Sequence, residues 1–208
     1  MIGHWLAVRT VKRESLKAAY GPANQQRVFD QLVARGASSH FGRDHGLRAG
    51  MTHAEFCASV PIRDYEKLKP WLDRAVNGES DILWPGDPLY FCKTSGTTSG
   101  AKFIPITRES MSNHINSARN ALLHYIANSG SAQLLDGKMM FIQGSPVLHR
   151  THGGTPLGRL SGIVAHHIPR YLQSNRLPSM ASNSVEPWEA KIEAIVEETK
   201  DEDMRLIS

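Results

Sequence analysis

Residues 94–102 read Thr94-Ser95-Gly96-Thr97-Thr98-Ser99-Gly100-Ala101-Lys102, a run that combines five hydroxyl side chains, two glycines and one lysine. Glycine lets the backbone turn its N–H groups inward at positive φ, hydroxyls add donors, and an ammonium adds positive charge. Apolar runs at 88–93 and 103–107, rich in aromatic and branched residues, predict a strand on each side. The sequence therefore predicts a phosphate-binding loop that is held at both ends.

The same composition is typical of a flexible linker rich in Ser, Thr and Gly. A linker normally has polar flanks, so the two predicted strands favour the phosphate-binding interpretation. The run is not a Walker loop, because Gly96 and Gly100 are too close together and Lys102 is followed by Phe103 instead of Ser or Thr.

Composition favours a soluble, cytoplasmic protein. The 208 residues are 40% hydrophobic, which is enough for a core, and they include no run long enough to span a bilayer or to act as a signal peptide. We expect Cys57 and Cys92 to be small buried side chains, with neither a disulfide nor a nucleophilic role. The basic residues of the first 50 positions are spread singly, so we expect a solvated helical face and no nucleic-acid binding.

Helix signals dominate residues 1–87. The predicted helices cover 4–35 with a break at Gly21-Pro22, 52–59 with Thr52 and Glu55 as a capping box, and 65–76. We therefore treat residues 1–87 as a helical N-terminal region that caps the rest of the protein.

Strands and helices alternate in residues 88–208. Thr107 caps the clearest helix, in which apolar residues recur every three or four positions. The other predicted elements are strands at 138–143, 163–168 and 204–207 and a helix at 188–199. This alternation predicts an α/β fold. The final strand needs further elements to cover it, so we expect residues 88–208 to be part of a larger domain and the chain to be a fragment.

Histidines and serines outside the loop offer weaker candidates. His149 and His152 have metal-ligand spacing, but the glycines after His152 oppose a helix there. His166 and His167 lie in the predicted strand 163–168, where neighbouring side chains point to opposite faces, which is poor geometry for joint metal binding. We expect no metal site. Gly144-Ser145-Pro146 follows a predicted strand, where α/β sheets place ligand loops, although ordinary turn chemistry also explains it. Ser145 lacks the G-x-S-x-G setting of an esterase nucleophile.

The loop sequence T-S-G-T-T-S-G-A-K resembles the phosphate-loop signature of the acyl-adenylate-forming superfamily, whose usual form is T-S-G-T-T-G-x-P-K. Ser99 and Ala101 depart from that form and look like one branch, the auxin-responsive promoter family of acyl-acid amido synthetases in its bacterial form. Further stretches resemble this family in chain order: Phe41-Gly-Arg43, Val60-Pro-Ile-Arg-Asp-Tyr65, Ile82-Leu-Trp-Pro-Gly86, Gly144-Ser145 and Asp203-Met-Arg-Leu-Ile-Ser208.

The resemblance implies an enzyme that activates a carboxylic acid with ATP as an acyl adenylate, releases pyrophosphate, and transfers the acyl group to an amine. It implies ATP binding by residues of the loop, namely Thr94, Ser95, Gly96, Thr97, Thr98, Ser99, Gly100 and Lys102. Thr98 and Lys102 are the implied catalytic residues, and Mg²⁺ is expected to neutralise the remaining phosphate charge.

Two further nucleotide motifs of the superfamily have no match in the 208 residues. No tyrosine begins a Y-x-x-[ST]-E motif, and the only Gly-Asp pair, Gly86-Asp87, precedes the loop. The resemblance therefore implies the first third or so of such an enzyme, with the missing C-terminal part as its partner. Because no apolar run is long enough to span a bilayer, we expect no membrane partner. A thioester-forming acyl ligase and a non-catalytic module that binds nucleotide or a partner chain stay open as alternatives.

Overall fold

The structure is a computed structural model that describes residues 2–94, 101–168 and 173–208. Five helices precede the first strand: α1 Ile2–Ala19, α2 Gly21–Gly36, α3 His40–Asp44, α4 His53–Ser59 and α5 Tyr65–Val76. The centre of the chain forms strand β1 (Tyr90–Thr94), strand β2 (Lys102–Ile106) and helix α6 (Arg108–Ser129). The remaining described elements are β3 Lys138–Met140, β4 His149–Arg150, β5 Pro156–Gly158, α7 Leu160–Ala165, β6 Arg176–Leu177, α8 Met180–Asn183, α9 Trp188–Thr199 and β7 Met204–Ile207, with a 3-10 turn at Gln133–Leu135.

Local sequence signals account for several helix ends. The capping box before α4 is present, because Thr52 Oγ1 accepts the Glu55 N–H at 3.2 Å while the Glu55 carboxylate accepts the Thr52 N–H at 2.7 Å. Thr107 Oγ1 accepts the Ser110 N–H at 3.1 Å and so caps α6. Pro22 lies in the first turn of α2, a position that needs no N–H donor. These predictions are confirmed.

The described strands form two sheets. The four-stranded sheet has the order β2-β1-β5-β4, with β2 antiparallel to β1 and β4 antiparallel to β5. The three-stranded sheet has the order β6-β3-β7, and β3 pairs in parallel with both neighbours. The chain reaches β7 from β6 through α8 and α9, a helical crossover that parallel pairing requires. The α/β class is confirmed.

Contacts divide the chain into two compact units, each with its own core. The first unit comprises Met1–Glu14, Met111–Leu148 and Gly158–Ser208. Its core joins Ala7, Leu123, Ile126, Leu134 and Met139. The second unit comprises Ser15–Ser110 and His149–Leu157. Its core joins Ala75, Ile82 and Phe91, with Trp71, Phe103 and Leu157 packed around them.

Two predictions from the sequence are wrong. Residues 163–165 of the apolar run 163–168, expected as a strand, form the end of helix α7, which begins at Leu160, and residues 166–168 form a turn and a bend. A short apolar run does not distinguish a strand from a buried helix, and here Gly162 allows the helix to lie against the Ser145 carbonyl. Cys57, expected to be buried, is exposed, whereas Cys92 is buried as expected. Among the described residues, no helix is long and apolar enough to cross a membrane.

Candidate functional site

Strands β1 and β2 form an antiparallel hairpin, and the predicted phosphate loop connects them. Thr94 pairs with Lys102 at the end of the ladder, one position beyond the pair of Lys93 and Phe103. The strands on both sides of the loop are thereby confirmed. The six loop residues between the strand ends that carry predicted roles, Ser95, Gly96, Thr97, Thr98, Ser99 and Gly100, lie outside the described residues.

The core of the second unit fixes β1 close to the loop. Phe91 is fully buried and packs with Ile82 and Ala75, and Cys92 is 8% exposed. A buried phenylalanine side chain contributes roughly 1.5–3 kcal/mol to folding. The strand therefore leaves the core at Cys92, and the loop starts only two residues later.

Lys102, the first residue of β2, contacts a side chain that sequence reasoning did not assign to the site. Its ammonium Nζ lies 5.2 Å from the ring centroid of Tyr65, within the range of a cation–π interaction. The hydroxyl of the same tyrosine accepts the backbone N–H of Phe103 at 2.8 Å. Tyr65 thus contacts two consecutive residues at the point where the loop ends.

Tyr65 owes its position to the start of helix α5. Asp64 is the N-cap residue, and its carboxylate accepts the Lys67 N–H at 2.9 Å. Helix α5 buries Leu72 and Ala75 and packs Trp71 against the core that also holds Phe91. The ring of Tyr65 is therefore fixed by a capped helix end on a packed helix.

The segment before Tyr65 is held by an aromatic cluster. The guanidinium of Arg63 lies 5.3 Å from the ring of Trp71 and 5.8 Å from the ring of Phe41. It also donates to His45 Nε2 at 2.7 Å. Since arginine only donates, His45 Nδ1 carries the imidazole proton and donates it to the Phe41 carbonyl at 2.7 Å. The cluster joins Phe41 and Arg63, which lie in two of the stretches that resemble the family.

A concave feature lies in the first unit, beyond strand β3. It is a cleft of about 320 Å³ lined in part by Gln143, Gly144, Pro146, Arg176 and Asn183. Asn183 is 7% exposed, and its Oδ1 has no hydrogen-bond partner among the described residues. Gly144 and Pro146, from the stretch Gly144-Ser145-Pro146, therefore border a cleft that has room for water or a small polar group.

Two cations near this cleft are partly or fully buried. Lys191 is 5% exposed, and its Nζ donates to the carbonyls of Asn183 at 2.9 Å and Gln143 at 3.3 Å. Burial lowers its pKa, and the charge of Arg159 adds to the effect. The guanidinium of Arg176 lies 4.6 Å from the ring of Phe141, and burial lowers its pKa as well. Both side chains join elements of the first unit, and neither is part of the hairpin site.

The histidines do not form a metal site in the part of the chain that the structure describes. No group of three or more His, Cys, Asp or Glu side chains is arranged to hold an ion there. His149 lies in the exposed strand β4, and a ring nitrogen of His166 lies 2.7 Å from the Pro146 carbonyl oxygen. The thiol of Cys57 lies 3.6 Å from His53 Nε2, on the surface of α4.

Comparison with known proteins identifies the sequence type. A family model described as the GH3 family N-terminal domain matches residues 15–205. A protein of Oryza sativa subsp. japonica, provisionally named indole-3-acetic acid-amido synthetase GH3.10, is 36% identical over 110 residues, which are 51% of this chain and 22% of the relative. Indole-3-acetic acid-amido synthetase GH3.6 of Arabidopsis thaliana is 27% identical over 134 residues, 64% of this chain and 22% of the relative.

Solved structures show the same fold. A structure of the GH3.15 acyl acid amido synthetase superposes with a TM-score of 0.63 at 21% identity, covering 76% of this chain and 28% of the other. The structural match and the sequence matches agree in extent, because this chain spans 22% of each of the two sequence relatives and 28% of the solved structure.

Proposed function

The chain belongs to the GH3 family, and we propose that it carries the phosphate-binding loop of an ATP-dependent ligase that joins a carboxylic acid to an amine. The family model covers residues 15–205, and relatives are named indole-3-acetic acid-amido synthetases. The chain spans only about a fifth of those relatives. The activity of the complete protein is for this reason part of the proposal.

The proposed reaction has two steps. In the first, the substrate carboxylate attacks the α-phosphorus of ATP in line, so a carboxyl O–P bond forms, the bond to the bridging oxygen breaks, and pyrophosphate leaves. In the second, an amine attacks the acyl carbon, loses a proton and releases AMP. Negative charge grows on the departing pyrophosphate during the first step, and donors fixed beforehand stabilise that charge most effectively.

The observation that carries the proposal is the hairpin that brings both ends of the loop together. Because Thr94 is paired with Lys102, the chain leaves the strand ladder and returns to it at directly opposite positions. The loop that carries the hydroxyls and N–H groups is therefore held at both ends. Lys102 supplies a positive charge at that junction, and we assign it and Thr98 the main catalytic roles. The roles of Ser95, Gly96, Thr97, Ser99 and Gly100 in binding the phosphates are part of the same proposal.

The residues of this chain fit Mg²⁺ only when the ion is bound together with the nucleotide. The loop offers hydroxyls and an ammonium instead of carboxylates, and the described residues contain no group that could cage an ion. Mg²⁺ is typically bound through substrate phosphates and water, with few protein ligands. When bound with ATP, it would neutralise phosphate charge, with the hydroxyl of Thr98 as the candidate ligand from this chain.

Lys102→Ala in the complete enzyme tests the assignment. We expect acid-dependent exchange between pyrophosphate and ATP to fall by roughly 10- to 1,000-fold, the range for the loss of one transition-state contact. Lys93→Ala is the matched control, because Lys93 lies on the same hairpin but its strand position faces the opposite side of the sheet. Wild-type exchange in Lys102→Ala would remove Lys102 from the mechanism.

The choice of acceptor separates the ligase from its alternatives. An amide-forming enzyme consumes the acyl adenylate when amines are supplied, whereas a thioester-forming ligase requires coenzyme A. A non-catalytic module would bind nucleotide without acid-dependent exchange. We further propose a cytoplasmic enzyme of the bacterial branch, supported by a sequence that contains only two cysteines and by Ser99 and Ala101 in the loop.

A further inference from the structure

Tyr65 contacts β2 in two different ways. Its hydroxyl accepts the Phe103 N–H at 2.8 Å, and its ring lies 5.2 Å from the Lys102 ammonium. Lys102 is the last residue of the loop, and Phe103 follows it directly. Thirty-eight positions separate Tyr65 from Phe103 along the chain, so the contact is a product of the tertiary fold.

The hydroxyl contact supplies a hydrogen-bond acceptor to the backbone of β2. This strand lies at the edge of the four-stranded sheet, so the N–H groups on its outer side have no neighbouring strand in the described part of the chain. Tyr65 supplies an acceptor to one of them, next to the loop. The backbone of Phe103, and with it the Cα of Lys102, is thereby tied to helix α5.

The ring contact acts on the side chain itself. A lysine side chain has many rotamers, and holding its ammonium in one place costs conformational entropy. An aromatic face attracts the ammonium and narrows the set of positions that it occupies. The ring in turn is fixed by the Asp64 cap and by the stacking of Arg63 on Phe41 and Trp71.

We propose that Tyr65 is a positioning residue that aims the Lys102 ammonium at the phosphates of the nucleotide. This proposal rests on the proposed function, in which Lys102 stabilises the departing pyrophosphate. The helical N-terminal region then has a direct part in the chemistry, because the side chain that orients the lysine comes from α5.

The test compares Tyr65→Phe and Tyr65→Leu in the complete enzyme. Tyr65→Phe keeps the ring and removes the hydroxyl, whereas Tyr65→Leu removes both contacts. We expect Tyr65→Leu to lower kcat for pyrophosphate exchange by roughly 3- to 30-fold, the range that one cation–π contact supplies, with little change in KM for the carboxylic acid. Tyr65→Phe is expected to keep most of the activity. The matched control is Tyr20→Leu, because Tyr20 is a tyrosine that is 68% exposed.

A double-mutant cycle distinguishes positioning from a merely structural role. If Tyr65 acts through Lys102, Tyr65→Leu causes no further loss in the Lys102→Ala background. The same fold-loss in both backgrounds would overturn the proposal, and so would equal losses in Tyr65→Phe and Tyr65→Leu. Thermal unfolding of each variant shows whether the fold is intact, and Tyr65→Phe retains the ring if Tyr65→Leu does not fold.

The same cycle separates the two proposals. Wild-type exchange in Lys102→Ala means that the role assigned to Lys102 is wrong, and the positioning role of Tyr65 is then wrong with it. Impaired exchange in Lys102→Ala together with additive losses leaves the proposed function intact and removes only the role of Tyr65.

Discussion

Gly153 lies directly against the backbone of Gly78. A Cβ atom built on Gly153 would be 2.3 Å from the Gly78 nitrogen and 2.5 Å from its Cα. Gly153 also donates its N–H to the Val76 carbonyl at 3.0 Å. This contact joins the turn between β4 and β5 to the end of helix α5, the helix that carries Tyr65.

Gly153→Ala is expected to destabilise the protein. The methyl group would meet backbone atoms, which cannot rotate away as a side chain does, so we expect a loss of about 1–3 kcal/mol or more in the free energy of unfolding. Gly21→Ala is the matched control, because nothing lies within 4 Å of a Cβ at that helical position. Chemical denaturation measures both variants, and an unchanged midpoint for Gly153→Ala would contradict the observed packing.

The capping box of α4 predicts a pH dependence of stability. The pKa of Glu55 is lowered from 4.5 to about 2, first by the Thr52 N–H, then by the Thr52 hydroxyl and by Arg48. A carboxyl whose pKa is lower in the folded state stabilises the protein fully above pH 4.5, and this contribution is lost as the pH falls toward 2. The stability difference between wild type and Glu55→Gln is therefore expected to shrink over that range.

Two measurements follow this effect. Unfolding of wild type and Glu55→Gln at several pH values between 2 and 6 gives the stability difference, and an NMR titration of the Glu55 carboxyl gives its pKa directly. A Glu55 carboxyl that titrates near 4.5 would show that the capping box is not maintained in solution.

The burial of Lys191 predicts a pH dependence of stability in the alkaline range. In Lys191→Met, the carbonyls of Asn183 and Gln143 lose their donor, which we expect to cost about 1–3 kcal/mol at pH 7. Since burial lowers the pKa of Lys191 below 10.5, the unfolded chain holds the proton more tightly than the folded protein. Wild-type stability therefore rises relative to Lys191→Met as the pH increases from the lowered pKa toward 10.5.

The control for Lys191 is an exposed lysine one residue beyond the same helix. Lys200 forms a surface ion pair with Glu197 at 2.8 Å, so Lys200→Met is expected to change stability by less than about 1 kcal/mol. Urea denaturation between pH 7 and 10 measures all three proteins. Equal stabilities for Lys191→Met and Lys200→Met would contradict a role of Lys191 in joining α9 to Gln143, in the segment that follows β3.

The 208 residues by themselves are expected not to form an acyl adenylate. Catalysis requires the adenine, the ribose and the reacting carboxylate to be held together with the phosphates, and the role proposed for the loop covers only the phosphates. Pyrophosphate exchange by the purified 208-residue protein is the measurement, with the complete enzyme as the control. A homogeneous, monomeric preparation that catalyses exchange would show that the remaining nucleotide contacts are present in this chain.

Short-range patterns were sufficient to predict a large part of this structure. The capping box at Thr52, the helix Tyr65–Val76 and the Thr107 cap are local features, because each depends on residues within one or two helical turns. The strands on either side of the loop were also predictable, since the side chains at 88–93 and 103–107 favour extended backbone. The apolar run 163–168 was ambiguous at this level, and the close fit of Gly162 against Ser145 accompanies a helix there.

The site depends on contacts that no local pattern contains. The sequence identified Lys102 by its neighbours in the loop, and it contained Tyr65 only as one letter in a stretch that resembles a family. The contact between them forms because α5 and the hairpin share a core around Phe91, which brings residues far apart in sequence into one place. Local propensity determines which residues are helical or extended, whereas burial of apolar surface determines which of those elements pack together. The contact of Lys102 with Tyr65 depends on this packing and is therefore decided by the tertiary structure.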